Sequence, residues 1–228
     1  CVPEGWHLSH LAHAHQDGAQ ALAALADSPG PPARSPVRLP LLSPELPNGP
    51  LTALGVAQVI AAMTPENVIV ADEAATASLP LLSTMARARP HTHLPLTGGS
   101  IGQGLPLAVG AAIAAPDRKV ICPHGDGGAA YTMQALWTMA REKLDVVIVI
   151  YANRSYAILN IELGRVGAIG SGPIAMSMLD LHNPEMNWTK IAEGLGVEAS
   201  RAMTCEEFAA QYSSALKHRG PRLIEAMI

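Results

Sequence analysis

Apolar positions along the chain change spacing several times, and each change marks an element. The run DVVIVIY at 145–151 is continuous and rich in β-branched residues, the pattern of a parallel strand buried on both faces. Shorter runs of the same kind occur at 67–71 (NVIVA), at 119–123 (KVICP) and in the closing RLIEAMI at 222–228. Between them the apolar spacing becomes helical. This predicts helices at 51–63, about 78–88, about 103–114, about 129–142, about 187–194 and about 204–218. Pro106 fits a first helical turn, and Pro116-Asp117 ends that helix. Residues 91–97 read as an extended connection. Residues 160–186 carry Gly164, Gly167, Gly170 and Gly172 and read as an irregular lid-like loop. Strands alternating with helices predict a three-layer α/β/α sandwich around a mainly parallel sheet.

The main domain is expected from Leu51 to Ile228. Before it, residues 28–50 are dense in proline, which removes amide donors and blocks helix, so this stretch reads as an extended linker. Residues 1–27 read as the tail of a preceding domain. Within them Asp17 is a candidate cap for a short Ala/Leu helix over 16–27, with Leu22 and Leu25 as apolar contacts. His7, His10, His13 and His15 crowd the same segment. A metal site is one reading of them, but no cysteine accompanies them and a solvated surface segment is the simpler one.

Composition narrows the class. Hydrophobic residues make up 49% of the 228, enough to bury a large core. The formal charge of -4 and the absence of a basic stripe speak against a nucleic-acid binder. Three widely spaced cysteines form neither a CxxC pair nor a disulfide framework, which points to a reducing, cytoplasmic setting. No apolar run is long enough to span a membrane.

The candidate chemistry lies in residues 119–156. The strand at 119–123 runs into a glycine turn, Gly125-Asp126-Gly127, and the strand at 145–151 runs into Asn153. A connecting helix makes these strands parallel neighbours, so Asp126 and Asn153 converge at one end of the sheet. An acid and an amide beside a helix start suit a divalent cation carrying a phosphate. Gly125, Gly127 and Ala130 also match G-x-G-x-x-[GA], the dinucleotide fingerprint. That reading needs an acid at the end of the next strand for the ribose, and Tyr151-Ala152-Asn153 has none. Asp126 inside the turn would also repel a bare pyrophosphate. Taken singly, the GDG turn and TGGSIGQG at 97–104 have ordinary structural readings, as a helix cap and a tight connection.

Together, GDG at 125–127 and Asn153 resemble the motif of the thiamine diphosphate-dependent decarboxylase and acetolactate synthase superfamily. TGGSIGQGLPLAVGAAIAAPDRKVICPHGDGG resembles the Gly-Gly-hydrophobe-Gly stretch that leads into that motif. GDGGAAYTMQALWTMA is similar to the benzoylformate decarboxylase branch, and GPRLIEAMI to the family's last strand. The resemblance covers residues 51–228, the pyrophosphate-binding domain, and implies the thiamine diphosphate-binding fold.

The resemblance implies that Mg2+ is held by Asp126, the Asn153 amide oxygen and the Ser155 carbonyl. It implies diphosphate contacts from Gly125, Gly127, Gly128, Ala129 and Tyr156, with Thr76 and Ser78 as weaker candidates. Ile101 matches the residue that wedges the cofactor into a bent shape, and the Gly99 carbonyl would accept from its aminopyrimidine. The implied reaction is decarboxylation of a 2-oxo acid, ending in an aldehyde or a carboligation product. It needs an activating glutamate on a pyrimidine-binding domain of a partner subunit in a homodimer or homotetramer. Glu73 does not match that glutamate and reads as a rim or capping residue, so no catalytic residue is expected within these 228 and the chain alone is expected to be inactive. Departures are Ala152 and Gly128, where asparagine and serine are common, Ala157, where glycine is usual, and 154–163, which differs from acetolactate synthases. A non-catalytic α/β module that only binds partners is the alternative.

Overall fold

A computed structural model describes residues 9–30, 39–41, 45–168 and 172–228. The chain divides into two units, residues 1–38 and 39–228. In the first, helix α1 (Gly18–Asp27) is capped by Asp17, whose carboxylate accepts from the amides of Ala19 and Gln20. Leu22 and Leu25 are exposed instead of supplying packing contacts. His10, His13 and His15 precede α1 and share no helical face; their rings stack at 6.1 and 5.9 Å. His7 lies outside the described residues.

The second unit runs α2 (Ala53–Met63), β1 (Ile69–Asp72), α3 (Ser78–Met85), β2 (Thr92–Pro95), α4 (Gly104–Ala114), β3 (Val120–Gly125), α5 (Asp126–Ala129), α6 (Ala135–Arg141), β4 (Val146–Ala152), α7 (Ala157–Arg165), α8 (Pro173–Ser177), α9 (Trp188–Gly194), β5 (Glu198–Ala202), α10 (Cys205–Lys217) and β6 (Arg222–Met227). The six strands form one sheet in the order β2-β1-β3-β4-β6-β5. Every pairing is parallel.

Strand alternation divides the core into two layers. Val147, Val149 and Tyr151 of β4 face α2, α3 and α10, where Ile60, Leu81, Phe208 and Tyr212 pack. Val146, Ile148, Ile150 and Ala152 face the other way, toward Leu105 and Ala108 of α4, Leu136 and Met139 of α6, and Trp188 of α9. The fold is the predicted three-layer sandwich, with β4 wholly buried at the sheet's centre.

Four local expectations are corrected. Residues 92–95 are an edge strand paired with β1, not a mere connection. Glu198–Ala202 (EASRA) is a strand that no apolar run announced; it pairs only with β6, so an edge position tolerates its polar residues. The helix expected over 129–142 is split, because residues 131–132 and 135–137 bond to carbonyls three residues back and the Thr132 hydroxyl donates to the Gly102 carbonyl at 2.8 Å. The stretch expected to be irregular contains α7 and α8. Among the described residues no helix is long and apolar enough to cross a membrane.

One buried polar contact ties α2 to α10. The hydroxyls of Thr64 and Tyr212 lie 2.8 Å apart, and both residues are fully buried. Removing one leaves the other without a partner in an apolar layer. Tyr212→Phe is therefore expected to cost about 1–3 kcal/mol in urea unfolding; an unchanged midpoint would contradict this account.

Candidate functional site

The strand order reverses between β1 and β3, since the chain passes from β1 to β2 on one side and from β3 to β4 on the other. In an open parallel sheet the connections diverge at such a point and leave a crevice beyond the strands' C-terminal ends. A cleft of about 400 Å3 opens there, large enough for a small-molecule ligand. Its walls are Glu73–Ala77 after β1, Gly125–Gly128 after β3, and Asn153 and Ser155–Leu159 after β4, with Leu96, Gly99, Ile101, Tyr151 and Ile228 completing it.

Asp126 is buried at the base of the β3 turn, 4% exposed. Its carboxylate accepts from the Gly127 amide at 2.8 Å and from the Arg154 amide at 2.7 Å. The second bond spans from the end of β3 to the end of β4 and holds the two turns together. Burial pushes the Asp126 carboxyl up, and the amides of Arg154 and Gly127 offset only part of that rise. The Asn153 side-chain oxygen accepts from the Ser155 amide at 3.0 Å, forming a tight polar turn. Arg154, between them, adopts a left-handed backbone (φ 53), as does Ala75 on the opposite wall (φ 52). Non-glycine residues held there are strained, and such strain concentrates at functional sites. Tyr156 packs so closely over the turn that a Cβ on Gly127 would fall 2.5 Å from its ring.

The TGGSIGQG turn forms another wall. Gly98, Gly99 and Gly102 all have positive φ, which lets the chain reverse sharply and present Ile101 into the cleft, 48% exposed. The turn is fastened from below by Glu73, itself only 3% exposed. The Glu73 carboxylate accepts from the amides of Gly102 at 2.6 Å and Gly104 at 2.5 Å. Nε2 of the fully buried His124 lies 3.1 Å from Glu73 Oε2, off the line of a hydrogen bond. Burial pushes the Glu73 carboxyl up, but His124 and the two amides outweigh it and leave it below the ordinary range.

Of the residues singled out in the sequence, Gly99, Ile101, Gly125, Asp126, Gly127, Gly128, Asn153, Ser155, Tyr156 and Thr76 all line this one cleft. Ala129 is fully buried within the α4–α6 side of the core, so only its backbone can serve the site. Ser78 stands apart: its hydroxyl donates to Asp72 at 2.9 Å. Glu73 is no rim residue, since its carboxylate is buried and caps the start of α4. Sequence reasoning passed over His124 altogether; the visible signals were an acid directly after an apolar strand and a histidine inside another.

Among the described residues, no three His, Cys, Asp or Glu side chains gather to hold a metal ion. Of the described residues lining the cleft only Glu73 and Asp126 carry charge, and none is Lys, Arg or His. The donor set is one carboxylate, one amide and backbone oxygens, which suits a hard cation that keeps water and ligand oxygens in its shell.

The fold, the switch-point cleft and the glycine turn describe a cofactor-binding domain, and the sequence relationships agree. The family model for the thiamine pyrophosphate enzyme C-terminal TPP binding domain matches residues 76–226, and the chain belongs to that family. It is 49% identical over 229 residues to a Mycobacterium tuberculosis protein, IlvX, provisionally named an acetolactate synthase large subunit; the match takes in 100% of this chain and 44% of that protein. It is 34% identical over 213 residues to benzoylformate decarboxylase from Pseudomonas aeruginosa, covering 92% of this chain and 39% of that one. Among solved structures it resembles a thiamine diphosphate-dependent 4-hydroxybenzoylformate decarboxylase from Rhodococcus jostii RHA1, with a TM-score of 0.76, 32% identity, and coverage of 90% of this chain and 38% of that one. The chain thus spans less than half the length of these relatives.

The crowding of Gly127 against Tyr156 makes a direct test. In Gly127→Ala the new methyl, itself 3.3 Å from Leu181 Cδ1, must displace the ring. The substitution is expected to cost about 1–3 kcal/mol in thermal or urea unfolding. A variant as stable as the wild type would show that this contact is not tight.

Proposed function

We propose that this chain holds the diphosphate end of thiamine diphosphate through Mg2+, as part of a 2-oxo acid decarboxylase or carboligase. The observation that carries the reading is the convergence of Asp126 and Asn153 at adjacent strand ends, tied by the bond between Asp126 and the Arg154 amide. Asp126, the Asn153 amide oxygen and the Ser155 carbonyl are the proposed metal ligands. Gly125 and the backbone amides of Gly128 and Ala129 meet the diphosphate, as a first helical turn leaves its N–H groups without intrahelical acceptors. The Gly127 amide, bonded here to Asp126, would serve the same diphosphate. Tyr156 and Thr76 flank the same oxygens.

The need for a cation follows from charge. Among the described residues a diphosphate entering this cleft meets two carboxylates and no cationic lining side chain, which favours a divalent ion to neutralise it. Bound here, the cofactor supplies the electron sink for loss of carbon dioxide from a 2-oxo acid. The chain's own residues bind and orient. Asp126 and Asn153 set the depth of the diphosphate, Ile101 gives an apolar support, and the Gly99 carbonyl accepts a hydrogen bond from the aminopyrimidine.

Among the described residues both lining carboxylates are engaged, Glu73 by the amides of Gly102 and Gly104 and Asp126 by those of Gly127 and Arg154. We assign activation of the cofactor to a glutamate on a pyrimidine-binding domain of a partner subunit, in a homodimer or homotetramer, which makes the assembly a carbon–carbon lyase or transferase. Ile158 and Leu159 of α7 line the outer cleft and favour a 2-oxo acid with an apolar acyl group, in keeping with the aryl substrates named for two relatives.

Asp126→Ala is expected to abolish Mg2+-dependent binding of thiamine diphosphate in isothermal titration; wild-type affinity would refute the metal assignment. No binding by the wild-type chain would instead favour a partner-binding module that keeps only the fold. Supplied with thiamine diphosphate and Mg2+, the 228-residue chain alone is expected to leave pyruvate and benzoylformate unconverted, and turnover of either would overturn the need for a second domain.

A further inference from the structure

We propose that Glu73 is a positioning residue: with His124 behind it, it fixes the turn that carries Gly99 and Ile101 and so sets the shape of the cleft. Its carboxylate spans two amides of one turn, Gly102 and Gly104, at 2.6 and 2.5 Å. Both lie just beyond Ile101, where the backbone reverses through Gly102 at φ 88. The Thr132 hydroxyl holds the other side of the same residue, donating to the Gly102 carbonyl. Charge-assisted bonds to backbone amides are strong and directional, and the two amides take one Glu73 oxygen each.

Two glycines leave room for the arrangement. A Cβ on Gly104 would lie 2.7 Å from His124 Cδ2 and 2.8 Å from Glu73 Cβ. A Cβ on Gly128 would lie 2.9 Å from Glu73 Oε1 and 3.1 Å from His124 Cε1. The absence of a side chain at 128 is therefore explained by what lies behind it: any larger residue presses on the Glu73 carboxylate. The bracket also links the ends of β1 and β3, because the Glu73 carbonyl accepts from the Gly125 amide and the Glu73 amide donates to the Pro123 carbonyl, each at 2.9 Å. A displacement of Glu73 would thus be felt by the Ile101 turn and by the Asp126 turn together.

The functional half of this inference rests on the cofactor reading above, so the test separates the two. Amide hydrogen exchange is measured by NMR on the cofactor-free chain, wild type against Glu73→Gln, and thiamine diphosphate affinity is measured with Mg2+. The Gln amide group presents an N–H to one backbone amide, whose exchange is expected to rise about tenfold or more, the scale of one lost charge-assisted bond. Amides of Val147–Ile150 keep their wild-type rates, and the dissociation constant for thiamine diphosphate rises about tenfold. Unchanged exchange at both Gly102 and Gly104 overturns the bracket, and so does an equal rise throughout β4, which marks a merely structural residue. Faster exchange with unchanged affinity overturns its service to the cofactor. Wild-type chain that binds no thiamine diphosphate refutes the cofactor reading alone, and the exchange data still decide the bracket. Should Glu73→Gln fail to fold, Glu73→Asp keeps the charge but is one methylene shorter, and the same rise is expected at the amide it no longer reaches.

Discussion

Two carboxylates are buried side by side in this sheet's crevice, at the ends of β1 and β3, and their hydrogen-bond donors are backbone amides. Asp126 takes one amide from its own turn and one from the turn after β4. Glu73 takes two from the turn before α4. Burying a charge is costly unless it is fully bonded, so these four bonds oblige the turns to sit where they do. The cleft is shaped by that obligation. Its floor is the Asp126 turn, one wall is the Asn153 turn that Asp126 holds, and another is the Ile101 turn that Glu73 holds.

The two acids then diverge in what remains to be done. Burial is only partly offset at Asp126, which leaves its carboxyl raised. At Glu73 the amides and His124 more than offset it. Asp126 lies in the cleft wall beside the Asn153 side chain, where the function proposed above places its cation. Glu73 is already satisfied, which suits a strut and not a proton donor or a metal ligand.

How much of this was legible in the sequence depended on burial. β4 and β3 are central and buried on both faces, so DVVIVIY and KVICP announced themselves. β2 and β5 are edge strands with one neighbour each, and THLP and EASRA carry no apolar run. The cleft residues were legible because the motif fixes residue types at turns: glycine where the backbone must reverse, an acid and an amide where oxygen is needed. Of the two readings of Glu73, rim or cap, the structure bears out the cap; which amides it caps was hidden, because they lie about thirty residues away and a backbone N–H leaves no trace in residue identity. Ser78 failed for a similar reason: nothing local reveals that Asp72 claims its hydroxyl. The broken helix at 130–134 turns on Thr132, whose hydroxyl reaches across to Gly102.

Gly128 shows how such a hidden contact resurfaces. Set beside the family motif, a glycine where serine is common is a bare departure. In the fold it is a vacancy that Glu73 and His124 require, since a Cβ there would crowd both. The departure and the histidine inside β3 are therefore one feature, not two. The same packing that leaves no side chain at 128 places a braced carboxylate behind the turn. On the function proposed above, contacts with a diphosphate would then fall to the backbone of Gly127–Ala129 and to the proposed cation, so the metal would matter more to this cleft than with a serine present.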